Sequence, residues 1–403
     1  MNVHELIRLL SSDTIQDYIL AHEFDDPKSL VLQKEKIHGV AASFIAQQLE
    51  GRRKAKEKLQ TWYQTRGVVY PPGINLEQSS SEGTSVYKAS VLADHCVKRD
   101  LLIDLTGGFG IDSSALSEKF QRIIHLEPNE TLSAIAKHNH DLFGRRNIDH
   151  VVTTAEEFLA SSTVRPDVFY IDPSRRNEHH QKVFMLKDTT PDIVTLLPEL
   201  LHSAEFALVK TSPLLDLAQV QRDLQYVRSI HVVAVNNECK EVLILCQRNF
   251  RGEPMIHAVN LGNENEPFVF KLSSEQNASV ELSEPQKFLY EPNAAILKAG
   301  AFKSVAERFK LFKLHPNTHF YTANIFISEF PGRIFEILSV MKSDQKDAVR
   351  LFPQGKANVI TRNYPLKPEE LKRKLKLNDG GNGYVIGATS LTKKVLLVAH
   401  RLK

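Results

Sequence analysis

Between residues 101 and 210, short apolar runs alternate with helical stretches, and this alternation constrains the fold more than any other feature of the chain. Runs at 101–105, 122–126, 149–153, 167–171 and 206–210 read as strands. Segments 113–120, 130–143, 155–160 and 193–201 read as the helices between them. Such alternation implies a parallel sheet covered on both faces. Two further strands, 230–235 and 242–246, are separated only by the polar link 236–241. A parallel crossover needs about a dozen residues, so this pair is expected to be an antiparallel hairpin. The expected class is α/β: a Rossmann-like, mostly parallel, seven-stranded sheet that ends in an antiparallel hairpin. A dinucleotide dehydrogenase domain, with six parallel strands, fits less well. Such a fold would also want a glycine where Ser113 stands.

The remaining sequence frames this domain. Leu30, Ile37, Val40, Ala41, Phe44, Ile45 and Leu49 recur at helical spacing, which predicts one long helix over 27–64. Pro71-Pro72-Gly73 and the serine-rich run 79–84 read as irregular loop. Residues 1–75 are therefore expected to form a helical N-terminal region, and 76–250 the sheet domain. Residues 251–330 read as a polar connecting region with a weak strand signal at 268–272. Residues 331–403 read as a small α+β domain, with strands at 334–340, 357–362, 384–388 and 394–400 and helices at 344–351 and 368–375.

At 403 residues, with 42% hydrophobic and 25% charged, the chain is long enough for two or three cored domains and is neither collagenous nor wholly disordered. Cys96, Cys239 and Cys246 form no CxxC pair and read as reduced thiols. His179-His180 lacks further ligands, so no metal is expected. The N-terminus lacks a basic segment followed by an apolar run, and no stretch of about 18 apolar residues occurs. No membrane association is expected, and the chain is placed in the cytoplasm. Charge is uneven: residues 341–403 hold 14 Lys+Arg against 5 Asp+Glu, a net of +9, while the rest carries a net of −6. A basic block on an acidic body suits a polyanionic partner; it equally suits a solvated surface.

Chemistry concentrates at three strand ends. Asp104-Leu105-Thr106-Gly107-Gly108-Phe109-Gly110 follows an apolar strand and opens a helix. Glycines there make a tight turn and admit a ligand to the backbone, beside the unpaired N–H groups of a helix start. Glu127 ends the second strand 23 positions after Asp104, near the spacing of a carboxylate that binds ribose hydroxyls. The fourth strand ends in Asp172-Pro173-Ser174-Arg175-Arg176, where open α/β sheets bind ligands.

In this order, the glycine loop, the strand-end acid and the Asp-Pro motif resemble class I S-adenosylmethionine-dependent methyltransferases of RNA and DNA. The chain more closely resembles a bacterial group of methyltransferases with a THUMP-like C-terminal domain. Gln78 through Ala89 looks like their segment over the cofactor, and Tyr290-Glu291-Pro292-Asn293-Ala294-Ala295 like the entry to their C-terminal block. A fainter similarity to trimethylguanosine synthases lies in the same places. The resemblance implies cofactor binding by Asp104, Thr106, Gly107, Gly108, Gly110, Glu127, Pro128, Thr154, Ala155, Glu156 and Asp172. It implies that Asp172, Pro173, Ser174 and Arg175 serve the acceptor. Thr106 replaces the usual first loop glycine. Thr154 stands where an adenine-binding Asp is common, so that contact falls to Thr154 or Glu156. Ser174 and Arg175 replace a proline and an aromatic residue. A ring there stacks on a flipped base; Arg175 would instead stack on a base or grip a phosphate. Cys239, in the hairpin link, is the candidate for a covalent mechanism, and Asn236-Asn237-Glu238 for the acceptor pocket or merely the turn. RNA, as tRNA or rRNA, is the implied acceptor, supported by the basic C-terminal block and by Arg52-Arg53-Lys54 near Trp62 and Tyr63. The alternatives are a small-molecule or protein methyltransferase and a non-catalytic RNA-binding protein.

Overall fold

The computed structural model describes residues 2–174, 186–262, 266–342, 345–391 and 393–403. Its principal sheet is built from β1 (Leu101–Asp104), β2 (Arg122–Leu126), β3 (Ile148–Val151), β4 (Val168–Ile171), β5 (Phe206–Thr211), β6 (Val227–Val235), β7 (Glu238–Gln247), β8 (Met255–Leu261) and β9 (Phe268–Lys271). The strand order is β9-β8-β6-β7-β5-β4-β1-β2-β3. β3, β2, β1, β4 and β5 are mutually parallel neighbours, and β7 runs antiparallel to β5. All four residues of β4 are buried, as are the first five of β5, which suits strands covered on both faces. The sheet is thus the expected mostly parallel one, closed by an antiparallel strand, but with nine strands rather than seven. The additional strands, β8 and β9, lie where a connecting region was expected. His257 and Asn260 interrupt the apolar run of β8, so its sequence lacks continuous hydrophobicity.

The β6–β7 link is also shorter than expected. Asn236 and Asn237 take φ of 49° and 66° and make a two-residue turn, so residues 238–241 belong to the strand.

Packing divides the chain into two units, Met1–Arg228 with Val242–Gly252, and Ser229–Glu241 with Glu253–Lys403. In the first, the expected helix over 27–64 is three helices, Pro27–Gln33, Ala42–Lys58 and Gln60–Gln64. His38 and Gly39, at φ 46° and 83°, turn the chain between two two-residue strands that pair with each other. The left-handed turn breaks a helix whose apolar spacing continues through it. The run expected to be loop at 79–84 is largely a helix start. Ser81 caps Glu82–His95 in a reciprocal box with Thr84, so serine and threonine there act as caps. The N-terminal helices share one core with the sheet domain: Ile45, Leu49 and Trp62 join Phe109, Ile111 and Ile135. Trp62 is 4% exposed, and its ring lies 5.0 Å from that of Phe109.

In the second unit, a separate seven-stranded sheet is built from β10 (Phe288–Pro292), β11 (Phe312–His315), β12 (Thr318–Ala323), β13 (Gly332–Met341), β14 (Asn358–Arg362), β15 (Gly383–Thr389) and β16 (Lys394–Arg401). Its order is β11-β12-β10-β13-β16-β15-β14. The helix Pro368–Leu375 packs Leu371 and Leu375 into a core with Val385, Leu396 and Val398. Among the described residues no helix is long and apolar enough to cross a membrane.

Candidate active site

Sheet register assembles the site. Asp104 is level with His125 on β2 and with Tyr170 on β4, and Tyr170 is level with Leu208 on β5. Two residues further along each strand come Thr106, Glu127, Asp172 and Lys210. Neighbouring parallel strands lie about 4.8 Å apart, so these four emerge side by side at the carboxyl end of the sheet. That is where open α/β sheets place their ligands. A cleft of about 490 Å³ opens there, within the ~300–1,000 Å³ typical of small-molecule sites.

Of the residues expected from sequence, Asp104, Thr106, Gly107, Gly108, Gly110, Glu127, Asp172, Pro173 and Ser174 line this cleft. Pro128, Thr154, Ala155 and Glu156 are not among its lining residues. The Thr154 hydroxyl caps the helix Ala155–Ser161 by accepting the Glu157 N–H, Ala155 is buried, and Glu156 and Pro128 are exposed. Arg175, Arg176 and His179-His180 lie outside the described residues. Cys239 does not line the cleft; its thiol donates to the Ala294 carbonyl at 3.3 Å, and burial raises its pKa.

The loop is braced from below. Asp104, 1% exposed, accepts the Thr106 N–H at 3.1 Å and the Ser113 hydroxyl at 2.5 Å. Burial pushes its carboxyl up to about 7. The Glu127 oxygens accept the N–H groups of Gly108 at 3.0 Å and Asn129 at 2.8 Å. Burial raises Glu127 above the usual carboxylate range, with those two N–H bonds opposing the shift. The Thr106 hydroxyl accepts the Asp172 N–H at 2.7 Å, which ties the loop to the fourth-strand motif. A glycine could not form this tie, which accounts physically for threonine at that position.

Five polar side chains of the site, Lys210, Lys88, Asp112, Tyr170 and Ser80, were not picked out as site residues from sequence, although Ser80 and Lys88 fall in the segment 78–89 expected over the cofactor. Lys210 forms an ion pair with Asp172. Lys88, fully buried, pairs with Asp112 at 3.2 Å. Asp112 also accepts the hydroxyls of Tyr170 at 2.7 Å and Ser80 at 2.8 Å. Burial alone would raise Asp112; the Lys88 and Lys210 ammoniums and the two hydroxyls outweigh it and hold the carboxyl below its ordinary value. A lysine closing the apolar run Phe206-Ala207-Leu208-Val209 was the available signal for Lys210. Lys88 sits in a helix among the buried residues Ala89, Val91 and Leu92, a similar anomaly. Arg52, Arg53 and Lys54 are already engaged within the first unit, by the Tyr63 carbonyl, the Glu23 carbonyl and the Glu77 carboxylate.

A mostly parallel sheet closed by an antiparallel strand, with a glycine loop, a strand-end carboxylate and an Asp-Pro motif around one cleft, defines the class I methyltransferases. The chain is 33% identical to a protein of Porphyromonas gingivalis W83 whose crystal structure is described as that of a proposed methyltransferase. That comparison covers 100% of both chains, with a TM-score of 0.87. In two strains of Mycobacterium tuberculosis, relatives described as uncharacterized S-adenosylmethionine-dependent methyltransferases are 22% identical over 311 residues, 75% of this chain and 79% of theirs. Residues 288–331 match a family described as a ferredoxin-like domain, and 332–401 one described as THUMP domain-like. The chain belongs to this family of S-adenosylmethionine-dependent methyltransferases with a C-terminal THUMP-like domain.

Proposed function

We propose that the cleft transfers a methyl group from S-adenosylmethionine to RNA, tRNA or rRNA. The observation that carries the reading is Glu127. It stands at the end of the second strand with each carboxylate oxygen committed to one backbone N–H, leaving a lone-pair site on each oxygen for a ribose hydroxyl. The residues fit the cofactor in shape as well as in chemistry. Gly108 has φ +57°, and a Cβ there would meet nothing nearer than 3.8 Å, so its outward side is open to a ligand.

In this reading Thr106, Gly107, Gly108 and Gly110 pass beside the aminoacyl part, with Asp104 holding the loop. Asp172, Pro173 and Ser174, with Arg175, receive the acceptor. When bound, the cofactor supplies a methyl carbon already activated by a sulfonium, so the protein has mainly to align the acceptor in line and exclude water.

The RNA half of the reading is supported by the THUMP-like match over 332–401 and by the net charge of +9 over 341–403. Two arginines of that unit, Arg333 and Arg362, are held by the buried carboxylate of Glu291 and remain 28% and 41% exposed, suitable for phosphate. Titration calorimetry with S-adenosylmethionine should give micromolar-range affinity that falls at least about tenfold in Glu127→Ala. Label from a methyl-labelled cofactor should enter tRNA or rRNA. A folded protein that binds no cofactor, or that labels protein and small molecules but no RNA, rejects the corresponding half.

A further inference from the structure

The pair Lys210–Asp172 bears on the chemical class of the acceptor. Both residues line the cleft, and each directly follows a member of the last registered pair between β4 and β5, Ile171 and Val209. Their side chains are 11% and 33% exposed, so the ion pair is sheltered but reachable. The influence of Lys210 extends across the site, since its charge helps hold the Asp112 carboxyl below its ordinary value.

Amine and hydroxyl acceptors make opposite demands on such a site. An amine that attacks a sulfonium methyl becomes a cation until its proton leaves, and a fixed ammonium opposes that charge. A hydroxyl must lose its proton as it attacks. Negative charge then builds on oxygen, and an ammonium already in place stabilises it without reorganisation. The rings lining the cleft do not favour a base either. Among the described residues they are Phe109 and Tyr170, 3% and 1% exposed, so neither offers a face on which a flipped base could stack.

We propose that the acceptor is a hydroxyl, the ribose 2′-hydroxyl of RNA, with Lys210 stabilising the attacking oxygen and Asp172 receiving its proton; this rests on the RNA reading above. The oxygen lone pair forms the new O–C bond. The C–S bond breaks, its electron pair passes to sulfur, and the sulfonium becomes a neutral thioether. The hydroxyl proton passes to the Asp172 carboxylate and then to water.

The test uses the whole 403-residue chain, methyl-labelled S-adenosylmethionine, and total tRNA and rRNA, followed by alkaline hydrolysis. A 2′-O-methyl group removes the nucleophile that alkali requires, so the label is expected in alkali-stable dinucleotides. Lys210→Met should bind the cofactor within about threefold of the wild type yet lose about 100-fold in kcat. Lys210→Arg, which keeps the charge, should retain at least about a tenth of the rate. Label in mononucleotides, on the bases, overturns the hydroxyl assignment and leaves the RNA reading intact. A cofactor-binding protein that labels no RNA overturns both. The alkali readout on the wild type needs no variant, so misfolding of Lys210→Met would not shelter the proposal.

Discussion

Gly107 and Gly108 are neighbours in the same loop, yet they are glycine for different reasons. A Cβ on Gly107 would lie 2.2 Å from Cε1 of His125, a fully buried ring with its Nδ1 3.0 Å from the Ser113 hydroxyl. That ring has nowhere to move, so Gly107→Ala should cost about 1–3 kcal/mol through overpacking. A Cβ on Gly108 meets nothing closer than 3.8 Å, and only its φ of +57° resists substitution. Gly108→Ala should therefore cost about 1 kcal/mol of stability while narrowing the cleft. Urea unfolding of the two variants checks the order; equal losses would mean that the His125 contact is not the constraint. Sequence showed that this loop needs glycines, because turn chemistry is local. It did not show which glycine packs on what, because His125 and Lys210 reach the site through strand register and His140 through the packing of its helix.

His125 belongs to a layer formed by β2, the helix Glu130–Leu142 and β3. His140 Nε2 donates to the Gly110 carbonyl at 2.8 Å, and His140 Nδ1 lies 2.9 Å from His150 Nε2. Burial lowers all three imidazoles: His125 well below its ordinary value, His140 to about 3 and His150 to about 4. Their mutual repulsion adds to this, with Lys137 and Arg145 pushing the same way, and Asp141 and Asp149 pushing back. A depressed folded pKa gives stability that is present above the unfolded value of about 6.5 and is lost as pH falls toward the folded one. Asp104, raised to about 7, works in the opposite direction: its contribution is full at low pH and is lost as pH rises through about 7. Glu127, also raised by burial, works in the same direction as Asp104; three histidines outweigh the two carboxylates, so the first unit should be about 1–3 kcal/mol less stable at pH 5 than at pH 7.5. His140→Asn should shrink that difference, as denaturant midpoints at the two pH values would show. An unchanged difference would place the acid sensitivity elsewhere. The same layer shows what a sequence conceals at the scale of elements. β2 and its following helix were legible from apolar runs and period, but the contact among His125, His140 and His150 arises only where β2, that helix and β3 pack together.

Across the whole chain, legibility followed periodicity. The parallel strands, their helices and the helix Pro368–Leu375 were visible because their apolar spacing is unbroken. β8 was not, because His257 and Asn260 interrupt it, and the helix expected over 27–64 was overextended because spacing alone does not register the left-handed turn at His38-Gly39. Charge is read from sequence more directly, since it needs no contacts. Arg373, Lys376 and Lys394 are exposed in the block with net +9, and each can meet a phosphate. If the block holds RNA through its backbone, affinity must fall as salt rises, because each neutralised phosphate releases counterions. The whole chain should then lose about tenfold or more in RNA affinity between 50 and 200 mM salt. The triple reversal Arg373→Glu, Lys376→Glu and Lys394→Glu should weaken binding at low salt by about tenfold and flatten the salt slope by about 1–3. Its affinity for S-adenosylmethionine should stay at the wild-type value, because none of the three lines the cleft. A slope that survives the reversal would move the RNA surface off this block; loss of cofactor affinity together with RNA affinity would mean that the reversal had damaged the fold rather than a binding surface.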